Sequence, residues 1–423
     1  MNELIYWVWL STVSGAARVT PNTLLKYFGS PEAVYQAGEP ELKSAPVDWA
    51  GCMSLYLNKS LKFADRILEY CDKNKVGIVS LKDMFYPERL RLLPNRPILM
   101  YYLGNFIDID NTPCLAIVGT RKVTERGIRI TKRIAYDSAR AGAVIISGLA
   151  LGVDALAHKA ALYAGKKTIG ILGCGIDTPY PPQNRELIAE VCEKGLVMTE
   201  FAPGTPPSGM NFPIRNRVIS ALSSAVLITE AAQKSGALIT AEYALKQHKP
   251  LFAVPRDILD TAGAGCNIIL KAGAKPATCA EDILETLRTD YADKLDPPKN
   301  IKTDGADGAG FGGMRRRSAG RSAIIPPKFT APASSEDESE AAAEESIPQE
   351  RVEKQKPDPR PSLLALDDEE RAFVLALSYD PVPIDTLVTD IRTVKKVLSL
   401  ATSLEIKGFV TRYPGNRIGL KAE

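Results

Sequence analysis

The sequence predicts a doubly wound α/β fold, a parallel sheet with helices on both faces, carrying a small helical domain before it and a separate domain after it. Three observations carry this prediction. Between Leu115 and Pro255, short apolar runs rich in β-branched residues (LAIV, VIIS, TIGIL, LVMTE, VLIT and LFAVP) alternate with helical stretches. Strands apolar throughout need both faces buried, and a helix after each supplies the crossover that parallel pairing demands. Most strand ends carry glycine or a small polar residue, as in GTR, SGLALG, LGCG, EFAPGT and TEAAQKSG. In open parallel sheets these ends are where ligands bind, and glycine lets a ligand approach the backbone. Finally, composition changes sharply near residue 290, and apolar periodicity returns only toward the C-terminus.

Taken in order, residues 1–75 read as short helices broken by Gly15, Pro21 and Gly29, in the manner of small helical DNA-contact modules. The opening MNELIYWVWL is apolar and aromatic but short, so it is expected as a core helix rather than a leader. Residues 76–289 hold the sheet, and their proline-rich entry YPERLRLLPNRPILMYYLG is expected as a lead-in extension packed on it. Residues 290–361, with GADGAGFGG, RRRSAGR and SSEDESEAAAEE, offer too few large apolar groups to offset the entropy of ordering and are expected to be a disordered linker. Two readings are open for the basic cluster Arg315–Arg317, a solvated charge run, which is favoured, and a contact to nucleic acid. Residues 362–423 show three helical segments and then two short strands meeting at Pro414-Gly415-Asn416, a winged-helix pattern.

Charge and composition narrow the function classes. Lys and Arg total 53 against 50 Asp and Glu, a net charge of +3. Between Leu115 and Pro255, however, 17 Lys and Arg face 10 Asp and Glu, so the basic surplus sits in the sheet domain. The seven cysteines are dispersed without C-x-x-C spacing, which predicts reduced thiols in the cytoplasm rather than disulfides or a zinc site. With only His158 and His248 present, no histidine-based metal centre is expected. No apolar run is long enough to span a bilayer, so no membrane association is expected. Neither G-x-G-x-x-G nor a P-loop lysine motif occurs, so no dinucleotide cofactor or NTPase is expected.

The densest constellation is FPIRNRVIS, Phe212 to Ser220, a proline-led helix start with two arginines around one asparagine. The first N–H groups of a helix lack partners and its dipole is positive there, which makes the opening an anion site. Two readings are open for Arg215 and Arg217: forked donors to phosphate, with Asn216 reaching a base or sugar, or ion pairs across the sheet. VGTR places Gly119, Thr120 and Arg121 at the first strand-to-helix turn, where backbone N–H, hydroxyl and guanidinium can hold a phosphate together. In SGLALGVDALAH, Gly148 and Gly152 keep the loop low, and Asp154 and His158 share a helix face; no Ser or Cys nucleophile accompanies them, so they are expected to orient the loop. Tyr180 offers either a stacking face or an ordinary packed ring, and Asn184 and Arg185 open the next helix. QKSG adds Lys234. Arg121, Arg185, Arg215, Arg217 and Lys234 thus map to one edge of the sheet.

This ordered series, VGTR, SGLALGVDALAH, GCGIDTPYP, FPIRNRVIS, TEAAQKSGALIT, FAVP and GAGCNIILKAGA, resembles the DNA-processing protein A (DprA/Smf) family over roughly residues 85 to 285. The helical N-terminus and winged-helix tail are similar to that family's usual flanking domains. The resemblance implies a Rossmann-like, non-catalytic cytoplasmic bacterial protein that binds single-stranded DNA and forms a homodimer. It further implies protection of incoming DNA in natural transformation and loading of a RecA-type recombinase, with DNA contacts at Gly119, Thr120, Arg121, Arg215, Asn216 and Arg217. The position after Tyr180-Pro181 is a lysine in some members and is Pro182 here, which leaves Arg185 as a substitute. Gly148 and Lys234 complete the expected DNA-binding set.

Two other classes stand beside this one. A nucleotide or phosphoribosyl hydrolase on a similar Rossmann layer would carry a Pro-Gly-Gly-x-Gly-Thr loop, which is absent. A duplex-DNA regulator acting through the tail would need a basic footprint, yet residues 362–423 hold 8 Lys and Arg against 9 Asp and Glu.

Overall fold

The computed structural model describes residues 3–296, 324–329, 382–383, 400–401, 403–405, 410–413 and 417–420. The chain divides into two compact units, Met1–Ser334 and Ser335–Glu423.

The first unit is built on one mixed sheet whose strands are β1 (Gly77–Ser80), β2 (Leu99–Gly104), β3 (Cys114–Val118), β4 (Val144–Ser147), β5 (Thr168–Ile171), β6 (Leu196–Thr199), β7 (Ala225–Ile228), β8 (Leu251–Ala253) and β9 (Lys275–Pro276). Their order is β1-β2-β6-β5-β4-β3-β7-β8-β9. From β6 to β9 all pairings are parallel, and each apolar run of the sequence supplies one of these strands. The chain winds outward from β3 through β4, β5 and β6, then returns to β3's other side as β7, β8 and β9. β3 is therefore the switch point, where the loops beyond neighbouring strands part and leave a crevice.

Alternation along the strands divides the core. Leu115, Ile117 and Ile145 pack with Ile134, Ala157 and Leu284 from the helices Glu125–Arg140, Val153–Tyr163 and Glu281–Tyr291. Ala116, Val118 and Ile146 pack on the opposite face with Val218, Ala241 and Ile269 from the helices Asn211–Leu222, Ala237–Lys246 and Ala264–Lys271. Successive side chains point to opposite faces, which is why both alternating sets had to be apolar.

Three features depart from the sequence reading. The lead-in extension was expected on the sheet, but β2 joins it, antiparallel to β6 and paired with β1. The N-terminal helices, from Leu4–Ser14 to Lys62–Lys73, were read as a separate domain. Their core residues Trp9, Leu10, Leu24 and Ile67 instead form one cluster with Leu99 and Tyr101 of β2 and with Leu187 and Val191. The apolar opening segment fits this role, since Ile5 to Leu10 are all buried. Within the stretch read as a disordered linker, Ile325 and Phe329 are buried in the same cluster, because the segment IIPPKF carries apolar groups its surroundings lack.

In the second unit, the strands Val382–Pro383, Val410–Tyr413 and Arg417–Leu420 form an antiparallel sheet in which Tyr413 pairs with Arg417. Leu400, Ala401 and Leu404 are buried. Arg315–Arg317 and the expected first helices of the tail lie outside the described residues.

Candidate nucleic-acid interface

At the C-terminal ends of β3 and β4, above the switch point, lies a cleft of about 580 Å³. Gly119 after β3, Ala150 after β4, Tyr180 after β5, Pro207–Gly209 after β6 and Ser235–Gly236 after β7 wall it, and the start of the helix Asn211–Leu222 enters it. Pro213 sits in that helix's first turn, where its missing N–H costs no hydrogen bond.

Phe212 stands at the centre. The Arg121 guanidinium lies over its ring at 4.9 Å, Arg215 approaches at 5.9 Å, and the Tyr180 ring is 5.7 Å away at 35°. Arg121 is exposed, whereas Arg215 is 5% exposed and forms the cleft floor. Arg215 Nη1 donates to the carbonyls of Gly148 and Ile171, joining the ends of β4 and β5. Its Nε donates to Asn216 Oδ1 at 3.1 Å, and Asn216 also lines the cleft. A side chain at position 148 would meet the Arg215 guanidinium at 2.0 Å, so only glycine lets this arginine reach the two carbonyls. The floor therefore carries a fixed cation whose hydrogen bonds are already largely made.

Asp154 and His158 stand in orienting roles. Asp154 Oδ2 accepts from the Gly148 N–H at 3.1 Å. Burial pushes its carboxyl up from the ordinary value, and Arg215 pulls it back. His158 is sealed from solvent, with Nδ1 2.8 Å from Thr168 Oγ1. Thr168 Oγ1 donates to the Ile145 carbonyl, so His158 Nδ1 is the donor to it. Burial holds the imidazole neutral, its pKa lowered to about 3.

The expected site residues divide into three groups. Gly119, Arg121, Arg215 and Asn216 line the cleft. Lys234 and Arg185 are exposed cations flanking it, one beside Ser235 and the other at the start of the helix Arg185–Lys194. The remaining three do not offer groups to the cleft. Thr120 donates its N–H to Glu230 O, and its hydroxyl is taken by Lys122 N–H. Gly148 gives its N–H to Asp154 and its carbonyl to Arg215.

Arg217 requires a correction. Its side chain is 1% exposed and bonds Glu200 Oε2 at 2.5 Å, so the phosphate expectation gives way to the ion-pair reading. Helical spacing explains it. Residues two apart lie on different faces, so Arg215 and Arg217 cannot both face one cleft.

Sequence reasoning passed over Phe212 as an individual residue, although its place before the helix-opening Pro213 was the available signal. It also missed Glu230 at the end of β7. Glu230 accepts from the Thr124 N–H and hydroxyl at 2.9 and 2.6 Å and pairs with Arg256, bracing the loop that carries Arg121. Among the described residues, no cluster of three or more His, Cys, Asp or Glu is placed to hold a metal, and no helix is long and apolar enough to cross a membrane.

Comparison with known proteins now decides the family. The profile described as DNA recombination-mediator protein A matches residues 58–288. The chain belongs to that family. A second profile, the DprA winged helix domain, matches residues 357–416 and assigns the fold of the second unit. Protein Smf of Synechocystis is 34% identical over 68% of this chain and 73% of its own length. DNA processing protein DprA of Streptococcus pneumoniae is 35% identical over 56% of this chain and 84% of its own. The X-ray structure of the Streptococcus pneumoniae protein covers 67% of this chain and 97% of that one, with a TM-score of 0.57 and 32% identity. In this DprA/Smf member Pro182 is exposed in the turn Pro182–Asn184, two residues beyond the cleft-lining Tyr180, with Arg185 following.

Proposed function

We propose that this chain binds single-stranded DNA in the β3 cleft and acts there as a recombination mediator without turnover chemistry. One observation carries the reading: the Phe212 ring has the exposed Arg121 guanidinium 4.9 Å from its centre, the Tyr180 ring at 5.7 Å and the buried Arg215 guanidinium at 5.9 Å. Cations along a groove hold the phosphate backbone, and an aromatic face stacks any base that is not paired. A duplex keeps its bases stacked inside and cannot use such a face. Phosphates meet Arg121, Lys234 and Arg185 at the cleft and its flanks. Asp154 and His158 serve as braces, since the one is tied to Gly148 and the other sealed beneath the sheet end.

The wider assignment extends what the family description names. The protein covers single strands in the cytoplasm, protects incoming DNA in natural transformation, and passes it to a RecA-type recombinase. A homodimer doubles the cationic track and raises affinity for long strands through effective concentration. For its surface we propose the exposed apolar residues Ile258 and Leu259 in the loop after β8 and Ile268 in the following helix, which are 91%, 85% and 43% exposed. Large apolar groups that adjoin on a surface mark a place where a partner docks.

Electrophoretic mobility of one labelled oligonucleotide, single-stranded and annealed, at two salt concentrations tests the reading. Single strands should bind more tightly than duplex at both salts. Equal affinity for both forms would remove the stacking argument.

A further inference from the structure

The segment Ile324–Phe329 lies far along the chain from the cleft yet packs against two loops that wall it. Phe329 is 8% exposed, its ring edge-on to Tyr70 at 5.3 Å and to Phe63 at 5.8 Å, both on the helix Lys62–Lys73. Tyr70 Oη donates to the Pro327 carbonyl. On its other side Phe329 meets Gly204, where a β-carbon would lie 3.0 Å from the ring and where φ is +84°, so glycine is doubly required.

Asp177 is the key to this contact. It is 4% exposed, and its oxygens take backbone donors instead of a cation: Oδ1 accepts from Gly204 N–H at 2.9 Å, and Oδ2 accepts from Phe329 N–H at 3.0 Å. One carboxylate thus ties the loop after β5, the loop after β6 and the 324–329 segment together. Without the segment, Oδ2 would lose this donor and exchange it for water. The two loops are also tied by Gly175 N–H donating to Thr205 O at 2.9 Å. Three residues beyond Asp177 and three beyond Gly204, they become Tyr180 and Pro207 of the cleft wall.

We propose that residues 324–329 form a built-in strap that docks between the helix Lys62–Lys73 and the two loops, fixes those loops, and thereby couples its own docking to occupation of the cleft. The coupling, though not the docking, rests on the single-strand reading above. A docked strap removes loop motion that binding would otherwise have to freeze, so the strap favours the ligand and the ligand favours the strap to the same degree.

Hydrogen–deuterium exchange on the full chain tests the strap, comparing the parent with Phe329→Asp and with Lys328→Asp, an exposed neighbour. Peptides covering 173–180 and 200–209 should exchange about tenfold faster in Phe329→Asp and at the parental rate in Lys328→Asp. Unchanged exchange in Phe329→Asp, or equal acceleration in both variants, would overturn the strap. The coupling is read with poly-dT: the parent should show slower exchange at 324–329 when it is bound, and Phe329→Asp should bind it about threefold or more weakly. Affinity equal to the parent's in Phe329→Asp would refute the coupling. A parent that does not bind poly-dT at all would sink the single-strand reading and the coupling with it, while the exchange comparison still judges the strap.

Discussion

Glu200 and Arg217 form an ion pair 2.5 Å long inside the protein, while Arg215, two positions earlier on the same helix, faces the cleft. Glu200 Oε1 also accepts from the Ala17 N–H at 3.1 Å, where Ala17 holds a left-handed φ of +59°. The pair therefore locks the back of the cleft helix to a turn between N-terminal helices. Arg217→Met would leave Glu200 buried with no cation, and the expected loss is about 3–5 kcal/mol of stability. Urea unfolding measures it, and adding Glu200→Gln should recover part of the loss.

Arg121 is exposed, and its removal should act on binding alone. Arg121→Ala is expected to weaken single-strand affinity at every sequence and to lower the slope of log K against log salt by about one, with an unchanged melting temperature. Titration of a fluorescent oligonucleotide over a salt series reads both quantities. Unchanged affinity would place the phosphate contacts elsewhere.

His158 gives the protein a specific acid sensitivity. Its pKa falls from 6.5 to about 3 on folding, so the unfolded chain takes up the proton first. Stability from this residue is complete above its unfolded pKa and drains away as the pH falls toward the folded one, by up to about 1.4 kcal/mol per pH unit. Urea midpoints should therefore fall more steeply from neutral to mildly acidic pH for the parent than for His158→Gln. Parallel pH profiles would show that the imidazole charges without cost.

The second unit should be dispensable for the cleft. A chain ending at Ser334 keeps the strap and the whole first unit, and its single-strand affinity is expected within tenfold of the parent, about 1.4 kcal/mol. A larger loss in an oligonucleotide titration would make the winged-helix unit a principal DNA-binding element.

Leu259→Arg puts a charge at an 85% exposed apolar position of the proposed dimer surface. The expected outcome in light scattering is a shift from dimer to monomer at micromolar protein, with weaker binding of long strands and little change for short ones. A parent that is monomeric under the same conditions would remove the dimer from the proposal.

The parallel sheet was legible because its strands are short apolar runs separated by helices, and each run became a strand. The cleft was legible from the same pattern, since glycine-marked strand ends at a switch point define a place as well as a fold. Individual roles were harder to read. Arg215 and Arg217 are chemically identical and two residues apart, and only the helix phase separates the cleft from the core. Thr120 and Gly148 lie at strand ends as expected, yet their polar groups go to Lys122 two residues on and to Asp154, Arg215 and Glu230 across 6 to 110 residues, pairings that no local motif encodes. β2 escaped notice because an antiparallel strand entering after prolines and turns lacks the strand–helix rhythm of its neighbours.

The bracing of the first loop has a kinetic side. Thr120 gives its N–H to Glu230 and its carbonyl to the Val153 N–H, while Glu230 holds Thr124 and Arg256. Arg121 thus stands on a loop whose shape is settled before a strand arrives. Capture then needs encounter and not rearrangement, so added salt should slow arrival at the rim by weakening long-range attraction more than it hastens departure. A protein of this kind would find exposed single strands quickly even while they are short-lived.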